Sequence, residues 1–473
     1  GLVDERRQDG RVLYTFSHAL IQEAAYGLML RATRRKYHER IAEVIEEDYP
    51  QEAQRRPELL AYHYQEAGNK TKAIQFWISA STLASQTSAA AEAMSHISHA
   101  NDVLDSIPES TEKDSLELQV RMAEGTVRRN AEGFVSAEVK RVSERAVELS
   151  EKLGSAEMLF WSLMGLRLIH NVSGDSAATL EIDEKLLAMA EQSGDETLLA
   201  AARVNLATTF RFLSRYEESL ELAMLALDIE PEKVDVLREL LGWDHHIVGY
   251  NNVAFCLWHL GRGDEARRYV ALGLDRAKDL SHGFALSAAL LFLGVQLNHF
   301  LRDESAVAEH NRSLSSVANT HGYTIWSLQA TMFDALVTAY TNHPDANQAA
   351  DVCAEMIRIK RGMGDQLANG YFYGVAAEAY LRNGNTAGAR AVLQDGLDWL
   401  KTPYDEMWAP ELYRLDGELA VQEGDQLTAR TCFETAIASA KRLNSLALEL
   451  RAAVSLGKLT LKGGGPPADD ISK

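Results

Sequence analysis

The amino-acid sequence predicts an all-α fold, a TPR-like α-solenoid carrying a short N-terminal β-hairpin, and three observations lead there. The chain has 473 residues, too many for one compact core unless its parts stack in series. Its composition is that of a soluble helical chain: 9 Pro, 8 % aromatic and 25 % charged residues. Small and large side chains also recur at fixed offsets along most of its length, the mark of a repeat architecture.

Residues 1–16 stand apart from the rest. Leu2-Val3, a polar run from Asp4 to Gly10, and Arg11-Val-Leu-Tyr-Thr-Phe16 predict a hairpin in which two apolar runs flank a charged turn ending in Asp-Gly. Ser17 is placed to cap a helix running through Tyr26. Residues 1–48 therefore predict a winged-helix remnant with a linker helix, and no later stretch has the pattern of a sheet.

The repeat is visible at five offsets, 0, 3, 12, 16 and 19, occupied in turn by small, large, small, large and small residues. Ala254, Leu257, Ala266, Val270 and Gly273 fit throughout, as do Ala377, Tyr380, Ala389, Leu393 and Gly396. Ala207, Phe210, Ser219, Ala223, Ala226 and Gly417, Ala420, Ala429, Phe433, Ala436 each depart at one place. Weaker copies run from Gly294 and from Val337, and an early one is Ala61, Tyr64, Ala73, Trp77, Ala80. This is the tetratricopeptide (TPR) pattern: two antiparallel helices cross closely, so small residues sit where the backbones approach and large ones fill the gaps. Gly68-Asn69, Gly261-Arg262-Gly263-Asp264, Asn383-Gly384-Asn385 and Gly424-Asp425 mark the reversals. First positions from Ala207 to Gly417 are 47, 40, 43, 40 and 40 residues apart. Since the usual period is about 34, each helix is expected to be roughly a turn longer than standard. Nine or ten helical pairs are expected, divided as 49–110, an irregular stretch 111–195, and a regular array 196–462. The Gly- and Pro-rich residues 463–473 are expected to be a disordered tail.

The charge balance bears on partners. A formal net charge of −20 argues against a general nucleic-acid binder and favours a basic or neutral partner. The basic run Arg31 to Arg40 is expected to be a solvated helix face, with a nucleic-acid patch or an interface toward a missing domain as the alternatives. Cys256, Cys353 and Cys432 have no metal or redox spacing and are expected to be buried thiols in a reducing cytoplasm. The longest apolar run, Phe284 to Val295, is short for a membrane span, and no signal peptide is recognisable, so a cytoplasmic chain with no membrane partner is expected.

Chemistry-bearing constellations are sparse. Asp244-His245-His246 and the pair His96, His99 lack the further ligands a metal site needs, and no metal is expected. Tyr371-Phe372-Tyr373 fits core and groove lining better than a cofactor box. There is no phosphate loop; the nearest run, Gly457-Lys458-Leu459, lacks both the upstream glycine and the hydroxyl. Neither the paired aspartates of a cyclase nor a serine-nucleophile elbow occurs, so the chain itself is not expected to be an enzyme. In a TPR array the first helix of each pair lines the concave face. Registration places Arg211, Asn251, Trp258, Asn298, Asp334, Glu378 and Arg414 there, as candidates to grip a protein or peptide partner.

The segments YTFSHALIQEAAYGLMLRATRRKYHERIAEVIEE and RPELLAYHYQEAGNKTKAIQFWISA resemble the junction after the ATPase core in bacterial signalling proteins of the STAND class. GFVSAEVKRVSERAVELSEKLG, GYFYGVAAEAYLRNGNTAGARAVL and ELYRLDGELAVQEGDQLTARTCFETAIASAKRLNSLALELRAAVSLGKL are similar to the TPR region of the same family. Those proteins join a class III adenylate or guanylate cyclase domain, or a DNA-binding domain, to an AAA-like ATPase and then to TPR repeats. The resemblance covers nearly the whole chain and implies a piece of a longer protein. That protein would bind ATP or ADP in its ATPase domain, the missing partner of this segment. It also implies a role for His18. In Ser17-His18-Ala19-Leu20 the histidine and leucine match the family's nucleotide-sensing Met-His-Asp-like motif, and Ala19 stands where the aspartate would be. The alternative for His18 is a packed imidazole at a capped helix start. The expected function is a regulatory sensor and protein-interaction region of a cyclase-linked signalling ATPase. The rival expectations are the sensor arm of a transcription activator, which a fused DNA-binding domain would reveal, and a free-standing scaffold.

Overall fold

The computed structural model describes residues 3–8, 11–16, 18–86, 90–132, 135–241, 244–280, 282–400 and 406–462. Two antiparallel strands, Val3–Gln8 and Arg11–Phe16, pair in register from Val3↔Phe16 to Gln8↔Arg11. The expected hairpin is present, with one correction: the charged run Asp4 to Gln8 belongs to the first strand, not to the turn. Residues 9–10, which connect the strands, lie outside the described residues. The first helix also differs from expectation. It spans Ala19–Leu28 with His18, not Ser17, in the N-cap position, and Ser17 lies outside the described residues. Residues 463–473, the expected tail, lie outside them as well.

Every other described element is helical, and the fold is an all-α, TPR-like solenoid. Nine helix–turn–helix pairs can be followed among the described residues. Ala90–Asp105, Pro231–Leu241 and Leu446–Lys462 stand outside that pairing. The chain divides into two compact units, residues 1–133 with 137–162 and residues 134–136 with 163–473.

In the first unit Ala42, Leu60, Ala61, Tyr64, Ala73 and Ile74 form the packed centre. Prolines open the helices Pro50–Arg55 and Pro57–Ala67, where a missing N–H costs nothing, and Gly68 (φ 85°) closes the second in the left-handed conformation. Tyr64 and Lys72 both bond Glu46, pinning the helix Arg31–Asp48 to the first repeat. The basic run of that helix is partly engaged: the Arg34 guanidinium lies 5.0 Å from the Tyr26 ring centroid. His38 is buried, with Nε2 2.9 Å from the Tyr26 hydroxyl and Nδ1 2.7 Å from His63 Nδ1. One proton serves that nitrogen pair, because two N–H groups facing each other would repel. Burial holds both imidazoles below their ordinary value of 6.5, and for His63 the neighbouring His38 adds to the effect. With folded values lowered, the contribution of this pair to stability is complete above pH 6.5 and is lost as pH falls through the lowered values. Thermal unfolding between pH 7.5 and pH 5 is expected to show a loss on acidification that His63→Asn flattens, and equal pH slopes for the two proteins would refute the pairing.

In the second unit the small positions of the repeat sit where a partner helix crosses. The Ser219 hydroxyl donates to the Ala207 carbonyl at 2.6 Å, joining offsets 0 and 12 of one pair. A Cβ on Gly294 would stand 2.8 Å from the His310 ring, and one on Gly417 would run into the Phe433 ring, offsets 0 and 16 in both cases. Side-chain oxygens of Asp175, Asp195, Asp244, Asp303 and Asp425 accept from the first-turn N–H groups of the helices that follow them. Most helices here run 14–18 residues, as the long period requires. The 47-residue interval has a different cause, the inserted helix Pro231–Leu241.

Two registers need correction. A residue with positive φ follows the first small position by seven in the units of Ala61, Ala207, Ala254, Ala377 and Gly417. In the Gly294 unit it is Arg302 (φ 59°), eight residues on, because Leu290–Leu297 is a π-helical segment and absorbs one extra residue. In the next unit it is Asn342, which makes the fully buried Ala335, not Val337, the first small position. The apolar run beginning at Phe284 is likewise longer than expected. Helix continues through the π segment to Phe300, so Gly283–Phe300 reaches 18 residues, and 72 % of it is buried within the fold. By length and composition it could cross a membrane; here it is the core helix of a repeat pair.

Candidate functional site

The first helices of the pairs in the second unit are Glu196–Phe212, His245–His259, Gly283–Phe300, Thr324–Tyr340, Asn369–Arg382 and Ala409–Glu423, followed by the unpaired Leu446–Lys462. Their aromatic residues meet in one cluster. Phe300 stacks on Trp258 with centroids 4.9 Å apart and lies 5.4 Å from both Phe255 and Tyr371. Trp408 completes the cluster, 4.9 Å from Tyr371 and 5.7 Å from Phe300.

The last helix closes over this cluster. His259 Nδ1 lies 2.7 Å from the Ser445 hydroxyl across 186 residues of sequence. Arg451 donates to the Phe300 carbonyl at 2.5 Å, approaches Glu411 at 3.4 Å, and holds its guanidinium carbon 5.0 Å from the Trp258 ring centroid. Buried His259 is held well below the usual imidazole value by its burial and by the Arg211 and Arg451 cations, so it serves the contact as a neutral ring.

A charged network lies beside the aromatics. The Glu378 carboxylate accepts from Arg302 at 2.6 Å and Arg382 at 3.2 Å and lies 3.3 Å from His299 Nε2; the Tyr371 hydroxyl lies 2.9 Å from His299 Nδ1. Glu411 accepts from Arg414 at 2.8 and 2.9 Å, with Arg302 at 3.3 Å. Burial alone would raise both carboxyls. The arginines overcome it, Arg302 and His299 holding Glu378 well below its ordinary value and Arg414, Arg451 and Arg302 bringing Glu411 down to about 2. His299, Tyr371, Glu378, Glu411, Trp408 and Arg451 line a cavity of about 20 Å³, room for one water. The indole N–H of Trp408 has no hydrogen-bond partner among the described residues.

Of the seven residues expected on the groove-lining face, each with a solvated or locally paired side chain as the alternative, six are buried: Arg211, Asn251, Trp258, Asn298, Glu378 and Arg414. Arg211 lies between the rings of Phe212 and Phe255, 4.6 Å from each centroid, and burial lowers its guanidinium to about 10. Asn298 donates to the Gly294 carbonyl at 2.7 Å, and Arg414 is held by Glu411 and Glu418. Asn251 Oδ1 is buried without a partner among the described residues. Asp334 alone is exposed, accepting from Asn311 at 2.9 Å. The structure thus brings Trp258, Glu378 and Arg414 into one region, but inside the closed array. Arg302, His299, Glu411 and Arg451, which the repeat pattern does not single out, do most of the joining.

Several other sequence features have structural partners. Asp244 caps its helix through Ile247 and accepts from Arg276 at 2.7 and 2.8 Å. His96 and His99 stack on Trp77. Among the described residues no group of three or more His, Cys, Asp or Glu could hold a metal. Cys256 and Cys353 are buried, whereas Cys432 is half-buried beside Asp416, short of the expected burial. Tyr371, Phe372 and Tyr373 are core residues. The side chain of His18 is exposed and makes no cap hydrogen bond.

No protein-family model matches the chain. An uncharacterized protein of Rhizobium meliloti (strain 1021) is 26 % identical over 348 residues, covering 72 % of this chain and 33 % of that protein. The chain thus spans about a third of the length of this curated relative. Among solved structures, the Rap conjugation gene regulator of plasmid pLS20 in complex with the Phr* peptide is similar at 14 % identity and TM-score 0.49, over 82 % of this chain and 97 % of that one. A STAND protein with a tetratricopeptide repeat sensor from Pyrococcus horikoshii is similar at 10 % identity and TM-score 0.36, over 87 % and 70 %. The fold assignment rests on the helix pairing described above, not on these likenesses.

Proposed function

We propose that the chain is the regulatory sensor and protein-interaction region of a multidomain signalling ATPase of the cyclase-linked kind, with a polypeptide partner acting on its helical array. One observation carries the reading: the aromatic cluster of the array is covered by the helix Leu446–Lys462 of the same chain, through Arg451 on Trp258, Phe300 and Glu411. In this reading that helix has a closed and an open arrangement, and a partner that binds the open one better biases the two. Two further facts support the larger setting. The sequence segments quoted above resemble the STAND junction and repeats, and the curated relative is about three times as long as its matched part.

In this reading ATP or ADP is bound by a domain outside these 473 residues, and His18 contributes at most one hydrogen bond to it. An exposed imidazole with no cap bond is available for such a contact but does not by itself hold a nucleotide. The test is ATP turnover by the product of the whole gene, with and without the array 196–462. Removal of a restraining array is expected to raise turnover at least about fivefold, the lower end of ordinary coupling between sites. A product that hydrolyses no ATP, or one whose turnover ignores the deletion, would end this reading.

A further inference from the structure

We infer that the groups beneath Arg451 form a guanidinium subsite for an arginine side chain of a partner polypeptide, which Arg451 fills in cis. The inference rests on the reading of the array as a partner-binding region and names the chemistry of that partner.

Three features, each from a different helix, favour a planar cation there against burial and the nearby Arg302 and Arg414 cations, which bring the Arg451 guanidinium down to about 10. The Phe300 carbonyl lies at the C-terminal end of the long helix Gly283–Phe300, where unpaired carbonyls and the helix dipole favour positive charge. Glu411, on Ala409–Glu423, supplies a buried carboxylate. Trp258, on His245–His259, offers an indole face. An ammonium could use the charges, but it lacks the flat surface that stacks on an indole while donating sideways to a carbonyl and a carboxylate.

Phe300, Trp258 and Glu411 are fixed by the aromatic cluster and the Arg302–Arg414 pairs, whereas Arg451 belongs to the last described helix, packed through one face only. Leu446, Leu450, Val454 and Leu461 on its other side are 46–75 % exposed. An element with few buried apolar contacts on one side opens at lower free energy than one packed on both, so this is the element a competitor can lift. The formal charge of −20 favours a cationic competitor from a distance.

The test is chemical rescue in the 473-residue chain. Arg451→Ala empties the subsite, and acetyl-argininamide is titrated by calorimetry against acetyl-lysinamide at matched ionic strength. Saturable binding of the arginine probe is expected, at least about tenfold tighter than to the unaltered chain or to Arg451→Ala/Glu411→Gln, the worth of one charged hydrogen bond. The lysine probe is expected to bind weakly to all three. If Arg451→Ala retains wild-type helicity yet binds the arginine probe no better than the unaltered chain, the inference is wrong. Should that variant not fold, hydrogen exchange on the unaltered chain decides. Faster exchange in Leu446–Lys462 is expected with acetyl-argininamide and not with acetyl-lysinamide, and equal exchange overturns the subsite. These outcomes are independent of ATP turnover, so the subsite and the signalling role fail separately.

Discussion

Replacing Glu378 with alanine is expected to cost the C-terminal array about 3–5 kcal/mol, the usual penalty for leaving buried charges without their partner. Arg302, Arg382 and His299 all lose their shared acceptor, and the first of these also sits in a positive-φ turn that the ion pair helps to hold. Glu378→Gln keeps the volume and an acceptor but not the charge, so a smaller loss is expected. The pH dependence separates the two effects. The Glu378 carboxyl is held below its ordinary value of 4.5, so its stabilising contribution is complete above that pH and is lost as pH falls through the lowered value. Acid titration of urea midpoints should therefore show a flatter acid limb for Glu378→Gln than for the unaltered chain. Parallel limbs would mean that the carboxylate is not the ionised centre of the network.

Gly417→Leu is expected to cost about 3 kcal/mol through overpacking. A Cβ there already meets the Phe433 ring, which is fully buried between the helices Ala409–Glu423 and Gln426–Arg442. Pairing the change with Phe433→Ala should recover part of the loss, because the space the leucine needs is the space the ring leaves. Urea midpoints of the two single variants and the double variant test this. Additive losses would show that the two positions do not touch.

What the sequence made legible was local. Ala207 and Ser219, or Gly417 and Phe433, lie within one helical hairpin, and small-against-large alternation at fixed offsets is the direct imprint of two helices crossing. The turn glycines Gly68, Gly261, Gly384 and Gly424 were legible for the same reason, each at positive φ where a side chain is strained. The π segment was not, since Leu290–Leu297 is uniformly apolar and one extra residue leaves no mark in such a run. Nor was the closure. Arg302 meets Glu378 and Glu411 across 76 and 109 residues, and His259 meets Ser445 across 186, distances over which the curvature of the array decides the contact. Polar residues on first helices therefore looked like a solvated groove. In the structure Glu378 is neutralised by Arg302 and Arg382, Arg414 by Glu411 and Glu418, and Arg211 lies between two phenylalanine rings.

The 186-residue separation between His259 and Ser445 also has a meaning for synthesis on the ribosome. At about 5–20 residues per second, translation leaves roughly 10–40 s between the appearance of one side of that contact and the other. Through that interval Trp258, Phe300 and later Trp408 emerge as an uncovered aromatic surface on a nascent chain whose covering helix does not yet exist. A growing chain in that state is a natural client for chaperones that shield apolar surface, and the last helix releases it by taking their place.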